Sequence, residues 1–290
     1  MNITLAQLRA LVSVIDLGSF GAAADQLGMT QPAISHAITT LERTVGGAVL
    51  RRRPTVAPTA LGRRILPHAR AALASVDALA SEVAAHHGRA GGSVRIAATS
   101  TVCQGLMPEL IQHWREHAPM IELQLFEGDD EELPVWLEDG LVDAAILIDA
   151  DPTPRGGILL RHDPFLAVIR RDHVLAEESR VHLRDLLDDP FMLSTGGCET
   201  QIRKIFALAN EPLVATQQVR ETGTLISMVA GDMGVTVMPS LAQAMLPPSL
   251  VMIPLEPHFE RTLTFSGPTS RPWSPLVEAL RDTLAVTVPS

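Results

Sequence analysis

Apolar residues recur at helical spacing from the start of the chain. Leu5, Leu8, Leu11, Val12 and Ile15 put one apolar stripe on residues 4–16, with Thr4 placed to cap the helix start. Phe20, Ala23, Ala24 and Leu27 repeat the pattern over a shorter stretch, and the small Ala22, Ala23 and Ala24 allow a close helix contact. Gly28-Met29-Thr30 breaks it: Gly28 suits the residue just past a helix end, and Thr30 suits an N-cap. Pro32 follows in a first helical turn, where a missing N–H costs nothing. Ile34, Ala37, Ile38, Leu41 and Val45 form the buried stripe of this next helix. Its other side carries Gln31, Ser35, His36, Thr39 and Arg43. The pattern predicts three short helices around one core, the last two joined by a tight turn.

After Gly46-Gly47, AVLRRRPTVAPTA mixes β-branched residues with Pro54 and Pro58 and reads as a short β-wing, with Arg51, Arg52 and Arg53 at its near edge. Residues 59–87 then form one long helical pattern. Leu61, Ile65, Ala69, Ala72, Val76, Leu79 and Val83 make a face with little of its own chain to pack on, which points to a partner helix from a second subunit. Pro67 should kink this helix or remove a hydrogen bond. Residues 88–92 read as a hinge.

From Ser93 the period changes. SVRIAAT, IELQLF, DAAILI (143–148), PFMLST, LVATQQV and GVTVMP read as strands. Helices are expected near 102–116, 130–138, 199–209, 222–230 and 273–286. Strands alternating with helices predict parallel sheets. The length predicts two α/β lobes: lobe I over about 93–162 and 267–290, lobe II over about 163–266.

Charge alters the picture more than composition does. The net charge of −10 would argue against a nucleic-acid partner. However, residues 1–70 carry eight arginines against Asp16, Asp25 and Glu42, a balance of +5, which leaves −15 for the rest. A basic module on an acidic body suits a nucleic-acid binder with a separate regulatory part. Short polar side chains near the start of a helix, with a cation further along, suit entry into the major groove. Two cysteines, Cys103 and Cys198, are too few for a disulfide framework and suit a reducing compartment. The first residues lack the basic segment of a secretory signal, and no run of eighteen apolar residues occurs, so a cytoplasmic chain without a membrane span is expected.

The stretch AAADQLGMTQPAISHAITTLERTVG resembles the winged helix–turn–helix of LysR-type transcriptional regulators. That family's pattern is A-A-x-x-L-x-x-(S/T)-Q-P-A-(L/I)-S-x-x-I-x-x-L-E-x-x-L-G. His36 departs from it, where Arg is more usual, and Val49-Leu50-Arg51-Arg52 stands in place of L-F-x-R. Gly140-Leu-Val-Asp-Ala-Ala-Ile resembles the family's G-x-x-D-x-A-I element, and residues 228–239 resemble its V-A-x-G-x-G-V-x-x-x-P element. The resemblance covers essentially the whole chain. It implies a winged helix–turn–helix domain (1–58), a linker helix that pairs two protomers (59–87) and a two-lobed α/β effector domain built like periplasmic binding proteins (93–290).

DNA contacts are expected from Thr30, Gln31, Pro32, Ala33, Ser35, His36, Thr39 and Arg43, with Arg51, Arg52 and Arg53 at the wing. The resemblance implies Arg52 as the wing's phosphate ligand. It also implies double-stranded DNA, a small-molecule effector and the chain itself, as homodimer and homotetramer, as partners, and it admits RNA polymerase. No cofactor, metal or catalytic residue is expected.

Ligands of open α/β sheets bind beyond the carboxyl ends of strands. Thr99-Ser100-Thr101 and Thr195-Gly196-Gly197-Cys198 each lead from a strand into a helix start, which would suit an anion or a polar head group. The resemblance assigns Ser100, Thr101, Thr195, Cys198 and Thr222 to an effector cleft. Residues 192–198 also align with the segment that carries the reactive cysteine in peroxide-sensing members, but Ala207 stands where the partner cysteine is expected. A sensor acting through Cys198 is therefore one alternative, and a solute-binding protein is another. His113 and His117 share a helix face without a third ligand type at metal spacing and read as surface residues.

Overall fold

The computed structural model of the chain describes residues 2–52, 55–86, 91–151 and 153–285. Arg53 and residues 88–90 of the expected hinge lie outside the described residues.

The first helix, α1 (Leu5–Leu17), starts at a capping box. The Gln7 N–H donates to Thr4 Oγ1 at 3.3 Å, and the Thr4 N–H donates to Gln7 Oε1 at 3.0 Å. Ser19 caps α2 (Phe20–Leu27), and Thr30 caps α3 (Gln31–Val45) with Pro32 in the first turn. Leu11, Val14, Ala23, Ile34, Ile38 and Leu41 are fully buried between the three helices. Two short antiparallel strands form the wing: β1 (Leu50–Arg51) pairs with β2 (Ala57–Pro58), Leu50 opposite Pro58.

The linker helix α4 (Ala60–His86) begins against the wing. Thr59 Oγ1 donates to the Ala48 carbonyl at 2.6 Å and accepts the Gly62 N–H at 3.0 Å. Gly62 is required here, because a Cβ would stand 2.0 Å from the Val49 carbonyl oxygen. Further along, α4 packs on α1 through the ion pairs Arg70–Asp16 and Arg9–Asp77. Leu79 and Val83 remain on the surface, 65% and 53% exposed.

The rest of the described chain builds one mixed sheet carrying two lobes. Lobe I contains β3 (Gly92–Ala98), α5 (Ser100–Gly105), α6 (Met107–His117), β4 (Ile121–Glu127), α7 (Glu132–Glu138) and β5 (Ala144–Ile148). The expected single helix over 102–116 is thus two, broken at Leu106 (φ −128°, ψ −40°). Strand β6 (Ile158–Arg170) runs through both lobes. Lobe II adds β7 (Val181–His182), α8 (Leu183–Leu186), β8 (Met192–Ser194), α9 (Glu199–Ala209), β9 (Gln217–Val219) and α10 (Thr222–Ala230). It continues with β10 (Thr236–Pro239), a 3₁₀ turn (Ser240–Met245) and β11 (Leu250–Glu256). The chain closes with β12 (Glu260–Ser266) and α11 (Pro275–Ala285).

Strand order across the main sheet is β4-β3-β5-β12-β6-β11-β7, with β10 also on β6, while β8 and β9 pair separately. β3 is parallel to β4 and β5, but β12, β11 and β10 pair antiparallel with their neighbours on β5 and β6, so the all-parallel expectation is corrected. Residues 158–164 of β6 pair with β12, and residues 165–170 pair with β10 and β11. Because β12 also bonds to β5, it belongs to lobe I. The return crossing therefore lies between β11 and β12, at 257–259, and not near 266. Strand β9 is also shorter than the 213–219 run expected.

Each lobe has its own core. Trp114, Phe265, Val277 and Leu280 centre that of lobe I, with α11 folded back onto it. Phe165, Phe191, Ile202, Phe206 and Val237 centre that of lobe II. No helix among the described residues is long and apolar enough to cross a membrane.

Candidate DNA interface and effector cleft

Burying Ile34, Ile38 and Leu41 fixes the rotation of α3 and turns the opposite face outward. Thr30, Gln31, Pro32, His36, Thr39 and Arg43 are exposed, and Ala33 and Ser35 half-buried. Thr30 and Thr39 already use their hydroxyls within the helix. Thr30 Oγ1 accepts the Ala33 N–H at 3.4 Å, and Thr39 Oγ1 donates to the Ser35 carbonyl at 2.8 Å.

The wing is tied to this helix by Glu42, a residue not among the expected contacts. Glu42 Oε1 accepts the backbone N–H groups of Val49 at 3.0 Å and Leu50 at 3.4 Å. Its other oxygen lies 3.7 Å from Arg52. The Arg52 guanidinium also donates to Thr39 Oγ1 at 3.4 Å and sits 5.5 Å from the Phe20 ring centre. Arg52 is thereby held at the seam of helix and wing, while Arg51 projects from β1 into solvent. The sequence does carry a signal for Glu42: it is the one carboxylate in a helix otherwise free of acid.

Two of the predicted cleft residues, Thr101 and Cys198, meet a buried ion pair at the crossing between the lobes. Asp163 on β6 faces Arg261 on β12 in register, and both side chains are wholly buried. Arg261 Nε and Nη2 donate to Asp163 Oδ2 at 3.0 and 2.8 Å. Asp163 Oδ1 accepts from Ser240 Oγ at 2.7 Å and the Leu241 N–H at 3.1 Å. Arg261 Nη2 also donates to Thr101 Oγ1 at 2.8 Å, and Nη1 lies 4.0 Å from Cys198 Sγ. One guanidinium therefore joins the first helix of lobe I to the start of α9 in lobe II. Neither member of this pair is among the expected site residues, because an arginine inside a strand reads as exposed until its partner is known.

Beside this pair is a cavity of about 310 Å³ between the lobes. Ser100 and Thr222 line it, together with Glu127, Asp129, Arg220 and Glu221. Thr101 and Cys198, which meet Arg261, and Thr195, just past β8, are not brought to its lining.

Both thiols are held protonated. Burial pushes Cys198 up to about 11 against the opposing pull of Arg261, and burial with Glu127 pushes Cys103 up to about 12. At Cys198 burial outweighs the pull of Arg261, so the structure withholds support from the thiol-sensor alternative. His117 Nδ1 and His113 Nε2 contact backbone carbonyls at 2.8 and 3.2 Å. Among the described residues no group of three or more His, Cys, Asp or Glu is placed to hold a metal.

Comparison with known proteins matches both parts. Residues 5–63 match the model for the bacterial regulatory helix-turn-helix protein, lysR family, and residues 87–287 match the LysR substrate binding domain. The chain is 31% identical to the uncharacterized HTH-type transcriptional regulator YvbU of Bacillus subtilis, over 92% of each chain. It is also 31% identical to the probable HTH-type transcriptional regulator LrrA of Synechococcus elongatus, over 100% of this chain and 98% of that one. A full-length OxyR variant from Pseudomonas aeruginosa shares the fold, with a TM-score of 0.76 at 24% identity over 99% of this chain and 96% of that one. CbnR solved with its target DNA gives 0.69 at 17% identity, over 98% and 100%. These matches exclude the free-standing solute-binding protein, and the chain belongs to the LysR family: it is a DNA-binding transcriptional regulator with an effector-binding domain.

Proposed function

We propose that this regulator reads operator DNA with the outward face of α3 and grips the adjacent backbone with the wing. Gln31, Ser35 and His36 meet base edges, and Arg43, Arg51 and Arg52 meet phosphates, with Arg53 beside them in sequence. The observation that carries this reading is the pinned seam: Glu42, Thr39 and Phe20 hold Arg52 beside an exposed polar helix face. The core that α3 shares with the capped helices α1 and α2 beneath it makes that face a rigid reading edge.

The working form is a cytoplasmic homodimer, assembled further into a tetramer, in which α4 pairs with a second α4. Leu79 and Val83, left exposed along this helix, are the contact. A small effector enters the cavity between the lobes beside Ser100 and Thr222. It acts by binding one arrangement of the lobes better than another, since only differential affinity shifts such an equilibrium. The chain acts as a switch: Asp163 and Arg261, engaged with each other across the two lobes, stand where such a change of arrangement is felt.

Selection of bound duplexes from a random library tests the DNA reading. A defined preferred sequence is expected, relaxed at specific base pairs by Gln31→Ala or Ser35→Ala, with about 1–3 kcal/mol of discrimination lost at each. Unchanged preferences in both variants would move base recognition off α3.

A further inference from the structure

A second cavity, of about 570 Å³, lies on lobe I and shares no lining residue with the one between the lobes. Its walls come from the turn at Arg155 and Gly156, the segment that joins β12 to α11, and Glu278 and Arg281 of α11. Arg155, Arg271 and Arg281 line it against one carboxylate, Glu278. Residues 71–290 sum to −15, so three guanidiniums around one cavity invert the local sign. The Gly157 N–H closes the turn on the Pro154 carbonyl at 2.8 Å, with Gly156 at φ +85°. A Cβ at Gly156 would stand 3.5 Å from both the Trp273 ring and Arg281 Nη1, which sets the turn alongside the other walls. The Trp273 ring covers Gly267, where a Cβ would stand 2.6 Å from it, and Nε1 donates to the Pro268 carbonyl at 3.0 Å. The Arg281 guanidinium lies 5.6 Å from the centre of that ring, while Nε and Nη2 donate to Asp282 Oδ1 at 2.8 and 2.7 Å. Its Nη1, beside Gly156, has no partner among the described residues.

An independent observation concerns Arg271, half-buried in the same wall. The carboxylate beside it, Glu138, is engaged elsewhere. Its Oε1 accepts the Thr269 N–H at 2.6 Å and the Thr269 hydroxyl at 2.8 Å, and Oε2 accepts the Ser270 N–H at 3.1 Å. Arg271 Nη1 donates instead to the Glu138 backbone carbonyl at 3.0 Å, which fixes the guanidinium without neutralising it. Among the described residues Arg271 forms no ion pair. Burial pulls it below the ordinary arginine range, and with Arg95 adding to this it outweighs Glu138 and Asp143. Arg155, exposed on its turn, also has no side-chain partner among the described residues. A partly buried cation held in place without a counter-charge is costly, and a bound anion offsets that cost.

We propose that this cavity is a second ligand site, which takes a small oxyanion of two or more negative charges, a phosphate ester or a polycarboxylate, between Arg155, Arg271 and Arg281. Guanidiniums bind such groups through paired N–H donors and stay charged when partly buried. A phosphate group or a second carboxylate gives the oxygens needed to meet three guanidiniums at once. The volume falls in the range of small-molecule sites, about 300–1,000 Å³.

The full-length protein is titrated calorimetrically at low salt with inorganic pyrophosphate, citrate and acetate. Pyrophosphate or citrate is expected to bind once per subunit and more tightly than acetate, and the tighter of the two tells phosphate from carboxylate. Affinity should fall at least about tenfold in Arg155→Glu and in Arg271→Gln, as for the loss of one charge-assisted hydrogen bond. If Arg271→Gln melts early, Arg155→Glu decides, since that side chain has no partner to lose among the described residues. The double variant Arg43→Ala/Arg51→Ala, altered only in the reading head, should bind the oxyanion as the parent does. Binding lost there and kept in Arg155→Glu would move the oxyanion to the DNA-reading face and overturn the inference. A lower duplex affinity in Arg155→Glu with unchanged oxyanion binding would make these arginines a DNA contact, with the same result. So would an absence of binding by both pyrophosphate and citrate.

Discussion

At the scale of single residues, the interlobe crossing depends on Asp163 and Arg261. Their charges are fully buried, but both carboxylate oxygens of Asp163 are bonded, which is the condition under which such a pair is tolerated. Removing one partner leaves the other as an uncompensated buried charge. Arg261→Met should therefore cost about 3–5 kcal/mol, seen as a lowered denaturation midpoint, while Asp163→Leu combined with Arg261→Met should cost less than the single change. A single variant as stable as the parent would show that this pair does not hold the lobes. The two thiols give a second residue-scale expectation. With Cys198 near 11 and Cys103 near 12, alkylation by iodoacetamide at pH 8 should run at least about tenfold slower in the folded chain than after urea unfolding. Protonation persists until pH rises toward those values, so labelling should accelerate only in strong alkali. Rapid labelling of native Cys198 would restore the sensor reading.

At the scale of elements, what can be read from sequence follows local punctuation. The helices α1 to α3 carry caps at Thr4, Ser19 and Thr30 and stop at glycines, so their limits are written in adjacent residues. Strand β6 is hidden in the sequence because Arg161, His162, Asp163 and Pro164 interrupt its apolar run at the point where it changes partners between lobes. Pairing across the sheet, and not the local pattern, explains their place in a strand. The lobe boundary is displaced for a related reason, since β12 reveals its lobe only through its bonds to β5. The break between α5 and α6 does have a signal in Gly105 and Pro108. Gly105 packs so closely on the 3₁₀ turn that a Cβ would lie 2.5 Å from the Leu241 carbonyl oxygen. Of the expected cleft set, hydroxyls at helix starts are legible, whereas the acidic lining comes from the end of β4, the start of α7 and the residues beside them and before α10, which only the fold brings together. Helix α4 supports a prediction of its own. Leu79→Glu with Val83→Glu should leave the melting of the effector domain unchanged and shift sedimentation from dimer or tetramer toward monomer. An unaltered assembly would place the subunit contact elsewhere.

At the scale of the whole molecule, a basic reading head is joined to an acidic two-lobed body by one helix. Residues 1–70, the head with the first turns of α4, carry a balance of +5 within a chain of −10, which gathers the basic charge at one end of the molecule. Ion pairs of α4 with Asp16 and Arg9 join the linker helix to α1 of the head. The central claim is that this head binds DNA through exposed arginines on α3 and the wing. Fluorescence anisotropy of a selected duplex across a salt series tests it most directly, with the parent chain beside Arg43→Ala and Arg51→Ala. The account predicts weaker binding to all duplexes alike in each variant, and a log–log salt slope smaller by about one. Binding by the parent that ignores salt, or variants that keep both affinity and slope, would contradict it.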